Sequence, residues 1–186
     1  MKRLAALGLL LSILALAACG QPHGPKSEWE RKHEDRLPPP PPEEAAPLPP
    51  YPQRSQLIEF FVAATTEFTF FIDATSLGVG AGGVVRYVLV ARSASGVENV
   101  SFEGMRCATS EVRLYAVGRD GRWSGKPGEW RTIAPRSVQR WHNALYREYF
   151  CPQKEPILGA QEGIDALRRG GHPLSKGFSG DEPRGR

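Results

Sequence analysis

The chain has no apolar run long enough for a permanent membrane span, no large surplus of either charge, and only three cysteines among its 186 residues. Its longest apolar stretch, Leu4 to Ala18, is about 15 residues, whereas a helix needs roughly 20 to cross about 30 Å of hydrocarbon. Twenty-four Lys and Arg against 20 Asp and Glu leave a formal charge of +4, too weak to argue for a nucleic-acid partner. The isolated cysteines form no CxxC pair and there is no HxxxH, so no metal site and no cofactor is expected. Gly78-Val79-Gly80-Ala81-Gly82-Gly83 lacks the Lys and the following helix of a phosphate loop and reads as a hairpin turn. Asp and Glu fall into no recognisable pairing, which disfavours a glycosidase.

What is present begins with an address. Lys2 and Arg3 precede the apolar run, which ends in small residues, the layout of a signal peptide over residues 1–18. Leu16-Ala17-Ala18-Cys19 resembles the bacterial lipobox. That resemblance implies cleavage before Cys19, a diacylglycerol thioether on its sulfur and a third acyl chain on the new amine; several chains together anchor stably. Gly20, in place of aspartate, implies the periplasmic leaflet of the outer membrane. The expected protein is therefore a lipoprotein whose first partner is the membrane. Loss of Lys2 and Arg3 with the signal halves its formal charge. Lipidation of Cys19 leaves Cys107 and Cys151 in an oxidising compartment, where a disulfide is expected. Closing that loop would restrict the unfolded chain by roughly 4 kcal/mol.

Residues 19–56 read as a tether. Prolines crowd at Pro38 to Pro42 and recur at Pro47, Pro49, Pro50 and Pro52. At about 3.1 Å per residue, polyproline II over Leu37 to Pro52 would reach on the order of 50 Å. A semi-rigid spacer is favoured over bait for an aromatic-lined groove. Ser27-Glu28-Trp29-Glu30 has capping-box spacing, so a short helix is expected over Ser27 to Arg36, with Trp29 docking on the domain.

Residues 57–170 read as the folded body, an α+β domain. Phe68 to Asp73 is an apolar, aromatic strand. In Val84 to Arg92, alternation puts Val85, Tyr87, Leu89 and Ala91 on one face and Arg86, Val88, Val90 and Arg92 on the other, as in a central strand. Further strands follow over Asn99 to Cys107 and Glu111 to Gly118, with turns at Gly82, at Ser93 to Gly96, and at Gly118 to Gly121. Val138, Trp141, Leu145 and Tyr149 then recur at helical spacing after Ser137, predicting a helix over Ser137 to Phe150 that covers one sheet face. A weaker helix is expected over Ala160 to Arg169, and a disordered tail over 171–186. The expected architecture is an antiparallel β-meander of about four to six strands with one main C-terminal helix packed on it.

Taken together, Phe71-Ile72-Asp73, Val84-Val85-Arg86-Tyr87, Phe102-Glu103-Gly104-Met105-Arg106-Cys107, Leu114-Tyr115-Ala116 and Ala144 to Pro152 resemble the cryptic neisserial protein-like family, over roughly Trp29 to Arg169. The resemblance implies a small exported envelope protein and brings no catalytic residues with it. At the turn, Gly82-Gly83 stands where members tend to carry Asp-Gly; either pair makes the turn.

Among candidate sites, Cys107 with His142 and Asn143 is a conceivable thiol nucleophile, base and orienting amide, but a disulfide would consume the thiol. Adjacent helical side chains also point about 100° apart. Arg86, Glu103, Arg106, His142 and Arg147 form a candidate polar patch near the disulfide, suited to an anionic or carbohydrate ligand. The leading expectation is a non-catalytic interaction or ligand-binding module of the cell envelope, partnered by an envelope protein or cell-wall component. A periplasmic hydrolase acting on cell-wall material is the alternative. A cleft holding His142 beside a carboxylate with a perturbed pKa would favour the enzyme, and a shallow charged or apolar patch would favour binding.

Overall fold

The computed structural model describes residues 46–134 and 140–175, all within one compact unit, Pro41–Arg186. The signal peptide, Cys19, the helix expected after Ser27, the prolines Pro38 to Pro42, and Ser137 and Val138 lie outside the described residues. Among the described residues, no helix is long and apolar enough to cross a membrane.

Eight strands form one antiparallel sheet: β1 (Leu57–Phe60), β2 (Phe68–Asp73), β3 (Gly78–Val79), β4 (Val84–Ser93), β5 (Glu98–Arg106), β6 (Glu111–Arg119), β7 (Arg122–Ser124) and β8 (Arg131–Thr132). Their order is β1-β2-β4-β5-β6-β7, with β3 beside β4 and β8 beside β6. The meander and the central place of β4 are as the alternation predicts, since β4 pairs with β2 on one side and β5 on the other. Beyond the four strands that the sequence displays lie β1, β3, β7 and β8, which at two to four residues are too short to show a period. Gly82 and Gly83 both take positive φ, 72°, at the turn into β4, a conformation that costs glycine nothing.

After the sheet comes α1 (Arg140–Ala144), which widens into a π-helical segment, Leu145–Phe150, and then α2 (Ala160–Arg169). The wider turn brings Leu145, Tyr149 and Phe150 all into the core. They pack with Ile72, Tyr87 and Met105 on one side of the sheet, the helix face. α2 ends in a left-handed cap at Gly170, whose N–H donates to Leu167 C=O (3.2 Å) while Gly171 N–H reaches Ala166 C=O (2.9 Å). Cys107, just past β5, is disulfide-bonded to Cys151 after the π-helical segment, with Cα atoms 5.3 Å apart.

The opposite, far face is covered by the chain's own proline-rich segment. Ala46 and Tyr51 pack with Trp123 over Val88, Val100 and Phe102. The Trp123 indole N–H donates to the Pro49 carbonyl (2.7 Å), and the Tyr51 and Trp123 rings lie 5.4 Å apart. Gly118 makes room for this: a Cβ there would come within 2.8 Å of the Tyr51 ring. The last prolines of the expected spacer are thus folded onto the sheet, and the boundary expected at Leu57 falls inside the packed unit. At the other end, the tail expected from Gly171 does not begin there. His172 is buried, its backbone N–H donates to Glu148 C=O (2.6 Å), and Ser175 Oγ donates to the same carbonyl (3.1 Å). Residues 176–186 lie outside the described residues.

Candidate functional site

On the helix face, alternation along β5 turns Ser101 and Glu103 toward α1, and the antiparallel register sets Glu103 directly opposite Tyr87 of β4. α1 brings His142 down onto the same point. Its Nε2 lies 2.8 Å from Glu103 Oε2, which also accepts from the Tyr87 hydroxyl (3.1 Å), while Ser101 Oγ donates to Oε1 (2.8 Å). All three principals are withdrawn from water, with Tyr87 0%, His142 4% and Glu103 6% exposed. Burial by itself would lift the Glu103 carboxyl. The charge of His142 and the hydrogen bonds from His142, Ser101 and Tyr87 together outweigh it and hold Glu103 below the usual carboxylate range. The Tyr87 phenol moves the other way, well above its ordinary value, through burial first and then the adjacent Glu103 charge and hydrogen bond. It therefore remains a proton donor to the carboxylate.

This pair sits at the edge of a cleft of about 610 Å³ lined mainly on the helix face beside α1 and reaching Tyr51 of the proline-rich segment. A β-bulge shapes its floor. The β5–β6 register shifts between Phe102 and Glu103, so that Ser101 faces Val117 but Glu103 faces Leu114. In a regular strand, residues three apart point to opposite sides; the bulge turns both Leu114 and Val117 into the cleft. The wall is aromatic. Phe70 stacks on Trp141 (5.3 Å, 27°), Phe68 packs beside Phe70 (6.3 Å), and Trp141 lies against His142 (5.3 Å). Trp141 Nε1 is buried without a hydrogen-bond partner among the described residues.

The sheet divides the polar patch expected from the sequence. Glu103 and His142 come together in the cleft, but Arg86 and Arg106 do not join them. Each is an odd number of positions from the helix-face residues of its own strand, Tyr87 and Glu103, so both turn to the far face. Arg106 lies over the Trp130 ring (4.0 Å) and 3.8 Å from Glu111. Arg86 lies against Gly80. Arg147 is exposed on the π-helical segment. A thiol mechanism is also closed: Cys107 is in the disulfide, and His142 is engaged by Glu103. Ser101 gives its proton to Glu103 rather than to His142, so serine, imidazole and carboxylate are not in the order that activates a nucleophile.

Sequence reasoning missed Tyr87, Ser101, Phe70 and Trp141 as site residues. The alternation that put Tyr87 and Leu89 on one face of β4 was a signal for the first. Nothing local announces a register shift or the meeting of residues 39 positions apart.

Neither a curated protein nor a solved structure is significantly similar to the chain. The model of the CNP1-like family matches residues 36–168, from the proline-rich segment through nearly all of α2 and across every residue of the cleft. The chain belongs to the CNP1-like family.

Proposed function

We propose that the protein is a lipoprotein of the outer membrane, held at its periplasmic face through acylated Cys19, and that it serves as a non-catalytic ligand-binding module of the envelope. The observation that carries the reading is the cleft of about 610 Å³, within the size range of small-molecule sites. At its edge Glu103, beside His142, is held below the usual carboxylate range rather than raised toward neutrality as a general acid would be. The cleft joins an aromatic wall to a few fixed polar groups, the combination by which such sites orient a ligand. The far-face clamp joins the anchor to the site: Trp123 fastens the segment leading toward Cys19, and Tyr51 of that segment lines part of the cleft. The disulfide accords with an oxidising compartment.

A hydrolase acting on cell-wall material is the second reading, favoured by the buried His142–Glu103 pair in a cleft. One experiment separates the two. The full chain is incubated with purified cell-wall fragments, and both retained and released material are followed by mass spectrometry. Binding predicts fragments retained at unchanged mass, with retention lowered by Trp141→Ala. New, smaller products that disappear with Glu103→Gln would establish the hydrolase instead. The anchor is tested separately: fed radiolabelled palmitate should enter the wild-type protein and not Cys19→Ser.

A further inference from the structure

We infer that the ligand of this cleft is an uncharged saccharide, an inference that rests on reading the cleft as a binding site. Three features of the lining converge on that class. The first is charge. Arg119 and Arg131 line the cleft together with Glu98, Glu103 and Asp120, so a strongly anionic ligand meets carboxylates and a strongly cationic one meets guanidinium groups. Like charges brought together where water is excluded repel, and a charged ligand also forfeits its own hydration. A neutral ligand escapes both costs while still using the charged groups as hydrogen-bond partners.

The second is the aromatic wall. Phe68 remains 39% exposed at the cleft beside the Phe70–Trp141 stack. A pyranose ring has one face of C–H groups, which packs on such a surface, and an equator of hydroxyls, each able to donate and accept. The third is the Trp141 indole. Among the described residues its N–H is buried without an acceptor, a deficit that native proteins seldom leave uncorrected. A ligand hydroxyl oxygen supplies that acceptor when the indole turns toward the cleft. Asn99, also on the lining, offers an amide that can both donate and accept, and Ser101 Oγ, whose proton goes to Glu103, offers an acceptor.

The test is a titration of the full chain, ¹⁵N-labelled in dodecylphosphocholine micelles, which carry no sugar, with three probes: the uncharged tetramer of N-acetylglucosamine, a sulfated tetrasaccharide and spermidine. Trp141→Phe identifies the Trp141 indole resonance by its disappearance. The expected result is that the uncharged tetramer moves this resonance and the backbone amides of Ser101 and Leu114, while the two charged probes leave them in place. Trp141→Phe, which keeps an aromatic ring but loses the N–H, should weaken binding on the order of tenfold, the equivalent of one hydrogen bond. If that variant folds poorly, the wild-type amide shifts decide alone. An uncharged tetramer that leaves Ser101, Leu114 and Trp141 unmoved overturns the inference. The binding reading then stands if cell-wall fragments are still retained through Trp141, and falls with it if they are not.

Discussion

A carboxylate buried as deeply as Glu103 stays ionised only while its donors remain in place. Its folded pKa lies below the ordinary value, about 4.3 in an unfolded chain, so unfolding in acid takes up a proton. The stability contributed by ionised Glu103 is therefore present above about pH 4.3 and is lost as pH falls through the lower folded value. Glu103→Gln should cost about 3 kcal/mol near neutrality, because it leaves His142 buried without its carboxylate. Urea unfolding at pH 7 and again at pH 3 should show that deficit shrinking in acid; an equal deficit at both would contradict the role given to the charge. Tyr87 has the opposite sign. Its folded pKa is raised, so its contribution holds below about pH 10 and is lost in alkali, and Tyr87→Phe should flatten the alkaline side of the stability profile. Of these residues, only Glu103 and His142 stood out in the sequence. The sequence offers them with Arg86, Arg106 and Arg147 as one patch near the disulfide, whereas strand alternation decides which face a side chain reaches.

Elements with enough residues to repeat a pattern were legible before the fold was known. β4, with ten residues, displayed both faces in its sequence, and α2 revealed its end through Gly170-Gly171. β1, β7 and β8 did not, nor did the bulge in β6, because a register shift is set by packing between strands and leaves no mark on either one. The proline-rich segment misled in a different way. Proline excludes Ala46 to Pro52 from a ladder but not from lying across a sheet face, and the acceptor for Trp123 is a carbonyl that proline keeps. Trp123→Phe should lower stability by about 1 kcal/mol. The Tyr51 ring and Gly118 amide resonances should then shift while the exchange of β4 and β5 stays slow; unmoved resonances at both would show that the clamp holds nothing. The Cys107–Cys151 bond joins the end of β5 to the segment that buries Tyr149 and Phe150. Its reduction should cost roughly 4 kcal/mol, read as a lower urea midpoint in dithiothreitol.

For the whole molecule, the two faces of one sheet divide the labour. The far face takes the proline-rich segment, and the helix face carries the core at one end and the cleft at the other. α1 covers Glu103, while Ser101, Leu114 and Val117 line open space. That partial cover is what turns a packed sheet into a site. The α+β architecture followed from periodicity; the cleft did not, because it depends on how elements distant in the chain cover a sheet, which no single segment's pattern records. The measurement that tests the account most directly is photo-crosslinking in intact cells, from benzoylphenylalanine placed at Phe68 on the cleft wall and, as control, at Leu158, which is 93% exposed and is not part of the cleft lining. The account predicts a discrete adduct with an envelope component from position 68, lost with Trp141→Ala and absent from position 158. Equal labelling from both positions, or none from position 68, would contradict it.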